Sequence, residues 1–339
     1  MNVNIKNYFH DISEEHKIQI RQIYNNPFST FEYFETFFDG KQFNLITIHD
    51  EGKLVHLIVF YINEHDKEAY ILNRLFYLDT KYLHLLANLI FSDFQNVKKI
   101  SLKHLLNPFN RNENINLVCN PYDENYIIPL PISVSDYLLK LSPNMRQQSK
   151  RRVNNLKKAF LNYDFRVYEK EEIPDKVIKQ IIKMNHSRMS NKNIISGINE
   201  DYEKNILNFV SNYGFVTVLE INNLIVAGLI TYKIGDHYFM QTISSDPDFD
   251  KYSVGHTCLF LTIQRCIELE GKQFHLLWGN NFYKKRFLAQ RVQLYSTTLF
   301  RTPIIQIKHY LINIILPKLT SKSFIKSMVK KCIKTLDLV

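Results

Sequence analysis

One pattern of elements occurs twice in this 339-residue chain, and that repetition constrains the fold more than any other feature. In the first half, FNLITIHD (Phe43–Asp50) reads as a strand, EGK as a turn, and LVHLIVFYI (Leu54–Ile62) as a second strand. AYILNRLF (Ala69–Phe76) reads as a third strand, a helical pattern covers Thr80–Phe94, and KKISLKHL (Lys98–Leu105) closes the set. The second half runs through strands at Phe215–Ile221, Leu224–Ile234 and His237–Ser245, a helix over Ser253–Glu270, and a strand at Gln273–Gly279. β-branched and aromatic runs bounded by polar turn residues carry these assignments. Strand–turn–strand–turn–strand–helix–strand, written twice, predicts an α/β protein of two related units, each built on a mixed sheet. The expected divisions are residues 1–135, 136–303 and a tail, 304–339.

A chain of this length suits two domains, and 45% hydrophobic residues with 13% aromatics supply their cores. The net charge of +10 favours anionic partners: phosphates, nucleotides, nucleic acid or an acidic membrane surface. Four cysteines (Cys119, Cys258, Cys266 and Cys332) form no C-x-x-C pair and match no zinc spacing, so no metal is expected. They suit a reducing compartment. The opening residues MNVNIKNYFHDISEEHK hold no apolar signal core, and the longest apolar run, near Tyr310–Leu316, is too short to span a bilayer. A cytoplasmic protein is expected.

Between the repeats lies a helical connector. Ser142-Pro143 offers an N-cap with proline at the first helical position, followed by the cation-rich NMRQQSKRRVNNLKKAF. A second helix covers Pro174–Ser190. Beyond Thr302, IIQIKHYLINIILPKLTSKSFIKSMVKKCIKTL is basic and amphipathic, with Pro317 as a break. Its composition fits an interfacial helix on anionic lipid at the inner membrane face. It fits equally a helix packed across its domain with a wet basic face.

Chemistry is concentrated in Gln241–Phe287. A strand ends, a loop follows, and a helix opens at Ser253-Val254-Gly255-His256. A helix N-terminus carries unpaired N–H groups and the positive end of the dipole, and glycine there lets a phosphate approach the backbone. The alternative is a plain capped helix. The first repeat is an internal contrast: its helix opens at Tyr77-Leu78-Asp79-Thr80, without glycine, and an Asp79 carboxylate would repel a phosphate. Only the second repeat is suited to pyrophosphate.

This stretch resembles the GNAT-type acyltransferase domain of the CelD-like and FemAB-like branch. Tyr252-Ser253-Val254-Gly255 fits that family's helix start, with Val254 where proline is usual. The strand ending at Gly279 and the pair Tyr283-Lys284 follow in the family's order, with Arg286 and Phe287 beyond. Upstream, His186 and Arg188 match a His and Arg two apart, Arg146, Arg151 and Arg152 match a basic helix, and Asn26–Phe38 resembles the family's opening segment.

The resemblance implies duplicated GNAT-like units, and transfer of an acyl group from acyl-CoA, acetyl-CoA foremost, to an amine. The acceptor class it suggests is a small-molecule or nucleotide-linked amine, such as an amino sugar of envelope or polysaccharide biosynthesis, with no specific nucleic acid. A thioester is already activated; catalysis needs an amine held close, its proton removed and the oxyanion met by a donor. Strand His237–Ser245, beside the pyrophosphate helix, presents backbone N–H groups for that purpose. Tyr252, Ser253, Val254, Gly255 and His256 are the candidate cofactor-binding residues. The candidate base is His186, whose unperturbed pKa lies near neutrality, or Asp246; the alternatives are a helix-surface histidine and a turn residue before Pro247. Tyr283 is the candidate proton donor to the leaving thiolate, and Arg188, Gln241 and Lys284 are candidate substrate contacts. The cationic helix Arg146–Lys158 suits CoA phosphates, an anionic acceptor or solvent.

Two rival functions stand beside this one. FemAB-like transfer from aminoacyl-tRNA goes with a coiled-coil insertion in the second unit, and no long heptad stretch occurs here. A non-catalytic basic scaffold for an anionic polymer or membrane surface fits the charge but not the glycine-bearing helix start.

Overall fold

The repetition in sequence is a repetition of topology. The computed structural model describes residues 3–9, 12–110, 115–191, 193–279 and 282–315. The first repeat comprises β1 (Val3–Phe9), α1 (Glu14–Tyr24), α2 (Phe31–Phe37), β2 (Asn44–Asp50), β3 (Lys53–Asn63), β4 (Glu68–Ile71), α3 (Thr80–Asp93), β5 (Lys99–Leu105) and β6 (Leu117–Pro129). After α4 (Val134–Lys140) and α5 (Pro143–Ala159) come β7 (Tyr163–Glu169), α6 (Asp175–Ser190), α7 (Glu200–Tyr213), β8 (Gly214–Ile221), β9 (Leu224–Ile234) and β10 (His237–Ser245). Then follow α8 (Val254–Glu268), β11 (Gln273–His275), α9 (Phe282–Arg286), β12 (Gln290–Phe300) and α10 (Pro303–Tyr310).

The pairing repeats as well. β1, β2, β3 and β4 pair antiparallel in turn, and β4 pairs β5 in parallel across the α3 crossover. β7, β8, β9 and β10 do the same, and β10 pairs β11 in parallel across α8. The α/β expectation with duplicated units is met.

Two units separate by their internal packing. One comprises residues 1–16, 41–122 and 294–339; the other comprises 17–40 and 123–293. Each sheet is completed by a strand from the other repeat. In the first unit β12 pairs antiparallel with β5, and in the second β6 pairs antiparallel with β11. The second unit also takes α1 residues from Lys17 onward and all of α2 from the first repeat.

In the second unit β8 is buried along its whole length, so both of its faces are covered. Phe215, Leu219 and Leu229 share a core with Val254, Cys258, Leu259 and Ile263 of α8. The apolar residues of α8 fall at helical spacing on one stripe, which is why this segment is a helix lying on a sheet. Strand alternation turns Val216 and Val218 to the opposite face. On that side α6 packs on β9 and β10 so closely that a Cβ on Gly228 would lie 2.6 Å from Ile181 Cγ1.

Two strands end earlier than the sequence suggests. The strand expected over Ala69–Phe76 stops at Ile71. Asn73 is buried, accepts from Val59 N and donates to Leu57 O, and Leu75 takes a φ of +55°. The strand expected over Gln273–Gly279 stops at His275: Leu276 N donates to Tyr126 O and Leu277 takes a φ of +50°. Of the expected tail, residues 316–339 lie outside the described residues. No described helix is long and apolar enough to cross a membrane.

Candidate active site

The site forms where β10 and β11 part. The two strands pair only over His237–Phe239 and Gln273–His275; beyond that, β11's continuation bonds to β6 through Leu276. A register shift between Met240 and Thr242 marks a bulge in β10 at Gln241. Beyond Phe239, the edge of β10 that faces away from β9 has no strand partner among the described residues. Such a bulge re-aims side chains and leaves backbone groups free for a ligand.

Two cavities of the second unit open along this parting. The larger, of about 540 Å³, is lined by Ser245, Ser253, Val254, Gly255, His256 and Tyr283, among others. The smaller, of about 290 Å³, is lined by Asn185, Tyr202, Gln241, Thr242, Trp278 and Tyr283, among others. Arg188, Met189, Ile243 and Tyr283 line both, so these four side chains mark the junction.

The start of α8 forms the floor of the larger cavity. Ser253 sits in the left-handed region, with φ 54° and ψ 43°, and its side chain makes no cap bond. The first intrahelical bond at this end is Thr257 N to Ser253 O, at 3.0 Å. The N–H groups of Val254, Gly255 and His256 therefore lack intrahelical partners. In the first repeat the matching end is closed, because Asp79 accepts from Lys81 N.

Cations gather at this helix start. Burial and the nearby Arg152 and Arg286 hold the His256 imidazole down at a pKa of about 4, so it is neutral at pH 7. Its Nε2 lies 3.3 Å from Ser149 Oγ of α5, and its ring lies 4.8 Å from that of Phe287. Burial lowers the Arg152 pKa, and the neighbouring Arg286 and Arg151 lower it further. Open amide donors, a helix dipole and clustered guanidinium groups suit a polyphosphate.

Tyr283 and Arg188 both border the junction. Burial raises the Tyr283 pKa, partly offset by the Arg188 charge, which keeps the phenol protonated at neutral pH. Arg188 Nε is buried and has no hydrogen-bond partner among the described residues. Gln241 Nε2 donates to Tyr202 Oη at 2.8 Å.

The other sequence candidates stand elsewhere. His186 is exposed on α6 and lines neither cavity. Asp246 lines neither cavity; it caps a turn, its carboxylate accepting from Asp248 N at 3.1 Å. Tyr252 packs edge-on against Phe160, with ring centroids 5.0 Å apart. Lys284 borders the smaller cavity but is 1% exposed, and it donates to the carbonyls of Leu277, Trp278 and Gly279 at 2.8, 2.6 and 2.9 Å. An ammonium has three donors, so none is left for a substrate. Burial draws its pKa down to about 8, against the pull of Asp123 and Glu124.

Sequence reasoning missed Asn185, Tyr202, Ile243, Ser245 and Trp278 as cavity residues. Asn185 lies three residues before Arg188 on one helix face, a spacing that could have found it. No group of three His, Cys, Asp or Glu residues is placed to hold a metal among the described residues.

Residues 143–285, less than half of the chain, match the family of the acetyltransferase (GNAT) domain. At the level of the superfamily, the second repeat carries a GNAT-type acyltransferase domain. The chain matches no curated protein sequence. Among solved structures it is similar to FemX, with 8% identity and a TM-score of 0.60 over 89% of this chain and 99% of that one. It is also similar to L-PGS from Bacillus licheniformis, with 10% identity and a TM-score of 0.57 over 93% of this chain and 99% of that one. At these identities the likeness is one of fold.

Proposed function

We propose that the second unit transfers an acyl group from acyl-CoA to an amine by direct attack on the thioester. The observation that carries this reading is the open, cation-flanked start of α8 beside the free edge of β10. Pyrophosphate is the occupant we assign to the N–H groups of Val254–His256, with Arg152 and Arg286 near its charge. The pantetheine arm then follows the unpaired edge of β10 toward the junction. A backbone N–H of that edge meets the thioester carbonyl and stabilises the oxyanion.

The acceptor enters through the smaller cavity, where Arg188 and Gln241 orient it. A neutral amine attacks the carbonyl carbon and a C–N bond forms. The C–S bond breaks, the Tyr283 hydroxyl gives its proton to the leaving thiolate, and the amine nitrogen loses its extra proton to solvent. Among the described residues no histidine or carboxylate lines the smaller cavity, and in this scheme water takes the proton in place of a dedicated base. The acetyl group and an amino-sugar acceptor remain the preferred substrates on the family resemblance.

The test is thiol release from acetyl-CoA in the presence of candidate amines, comparing wild type with Gly255→Asp. Undiminished turnover by the variant would remove the pyrophosphate assignment. An aminoacyl ester donor would use the same oxyanion site. That reading predicts tight, steeply salt-dependent RNA binding, and the longest described helix, α5 at 17 residues, gives it no coiled-coil arm.

A further inference from the structure

The first unit holds a cavity of comparable size that acyl transfer does not use. Its volume is about 550 Å³, and it lies between the β4 and β5 starts and α10. Five cations line it, namely Lys67, Lys98, Lys99, Arg301 and Lys308, against one carboxylate, Asp66. Lys99 is neutralised by Glu68 at 2.5 Å, and Arg301 is braced by its bonds to the Val97 and Phe94 carbonyls, both at 2.7 Å. Lys67 and Lys98 are exposed at its rim.

The helical wall differs in character. Ile304, Ile305 and Ile312 line the cavity from α10 and the turn after it. Ile312 is 40% exposed, and Ile307 and Tyr310, which line a neighbouring cavity with Val118, are 52% and 42% exposed. Large apolar side chains left in water beside a ring of lysines fit an interfacial helix on an anionic bilayer.

We propose that this cavity seats the phosphate headgroup of an anionic phospholipid, with the exposed apolar face of α10 entering the acyl boundary. Charge decides between occupants. Residues 316–339 carry six lysines and one aspartate, so the chain's own continuation is repelled by the same cations. A free nucleotide would find no Phe, Tyr or Trp among the described lining residues on which to stack its base. A lipid phosphate satisfies the lysines while its chains cover the wall formed by Ile304, Ile305 and Ile312. Each lysine near an anionic surface contributes about 1 kcal/mol, or about fivefold in affinity.

The test is flotation of the full-length protein with vesicles of phosphatidylglycerol or phosphatidylcholine, at low and high salt. Binding to phosphatidylglycerol alone is expected, weakened about tenfold or more by Lys67→Glu with Lys98→Glu. Thiol release from soluble acetyl-CoA by that double variant should stay at the wild-type rate, which separates this site from the acyl-transfer reading. Equal binding to both vesicles, or undiminished binding by the double variant, would overturn the proposal. So would loss of binding in Lys326→Glu with Lys330→Glu while the cavity variant still binds, since that outcome assigns the membrane contact to the tail. Absence of binding to either kind of vesicle would also overturn it.

Discussion

Gly255 faces Ser245 so closely that a Cβ at position 255 would stand 3.1 Å from the Ser245 hydroxyl oxygen. The last residue of β10 and the first turn of α8 thus share one narrow space. A carboxylate placed there would meet both the serine and any incoming phosphate. Gly255→Asp should lower kcat/KM for acyl-CoA about 100-fold or more, mainly through KM, while Gly255→Ala should cost only several-fold because the hydroxyl can turn aside. Initial rates across acyl-CoA concentration check both.

Among the described residues, Tyr283 is the one ionisable hydroxyl that lines both cavities. Tyr283→Phe keeps its ring and removes its proton. We expect kcat to fall about 10- to 100-fold with the KM for acyl-CoA little changed, the range for loss of a positioned acid. A changed KM with an unchanged kcat would instead mark the hydroxyl as a binding group.

Lys284 fastens the segment that follows β11. Its replacement by methionine leaves three carbonyls without their donor, and the expected loss of stability is about 2 kcal/mol or more. Lys284→Arg should not restore it, because a planar fork cannot converge on three carbonyls as an ammonium does. Trp278, the one tryptophan of the chain, lies within the clamped segment and reports its unfolding in denaturant. A raised KM for the acceptor at unchanged stability would assign Lys284 to substrate instead.

Acid should weaken the second unit through His275. Burial, helped by His237, holds its pKa at about 3 against an ordinary 6.5. Above pH 6.5 the imidazole is neutral in both folded and unfolded chains and has no effect. Below that, the unfolded chain takes up a proton that the folded one refuses, and stability falls by about 1.4 kcal/mol per pH unit until about pH 3. His275→Phe, in a site where the ring already stacks on Phe239 at 4.2 Å, should remove its share of the acid slope and leave the share of His256. Denaturant midpoints read by Trp278 fluorescence between pH 3 and 7 measure it.

The central strands and α8 were legible because their apolar residues keep a clean period. β6 and β7 were not. β6 contains Pro121 within NPYDEN, a composition that reads as a loop, and β7 alternates charge with aromatics at a sheet edge. The glycine at the helix start pointed to the larger cavity. The smaller cavity escaped because its walls come from α6, α7, β10 and the segment after β11, which only the tertiary fold assembles. His186 illustrates the limit: a two-residue spacing from Arg188 carries the pair's sequence pattern, yet on a helix it sends the two side chains to different faces.

The exchanged strands set an order on synthesis. Ser101 pairs with Thr298 across nearly two hundred residues of sequence. When β5 leaves the ribosome its outer edge has no partner, and it waits until almost the whole chain has been made. At about 5–20 residues per second that interval is about 10–40 s. An open edge of Ile100, Leu102 and Leu105 is a template for wrong pairing in that time. The first unit to begin is therefore the last to close, and its yield in the cell depends on how well that edge is shielded while the second unit is translated.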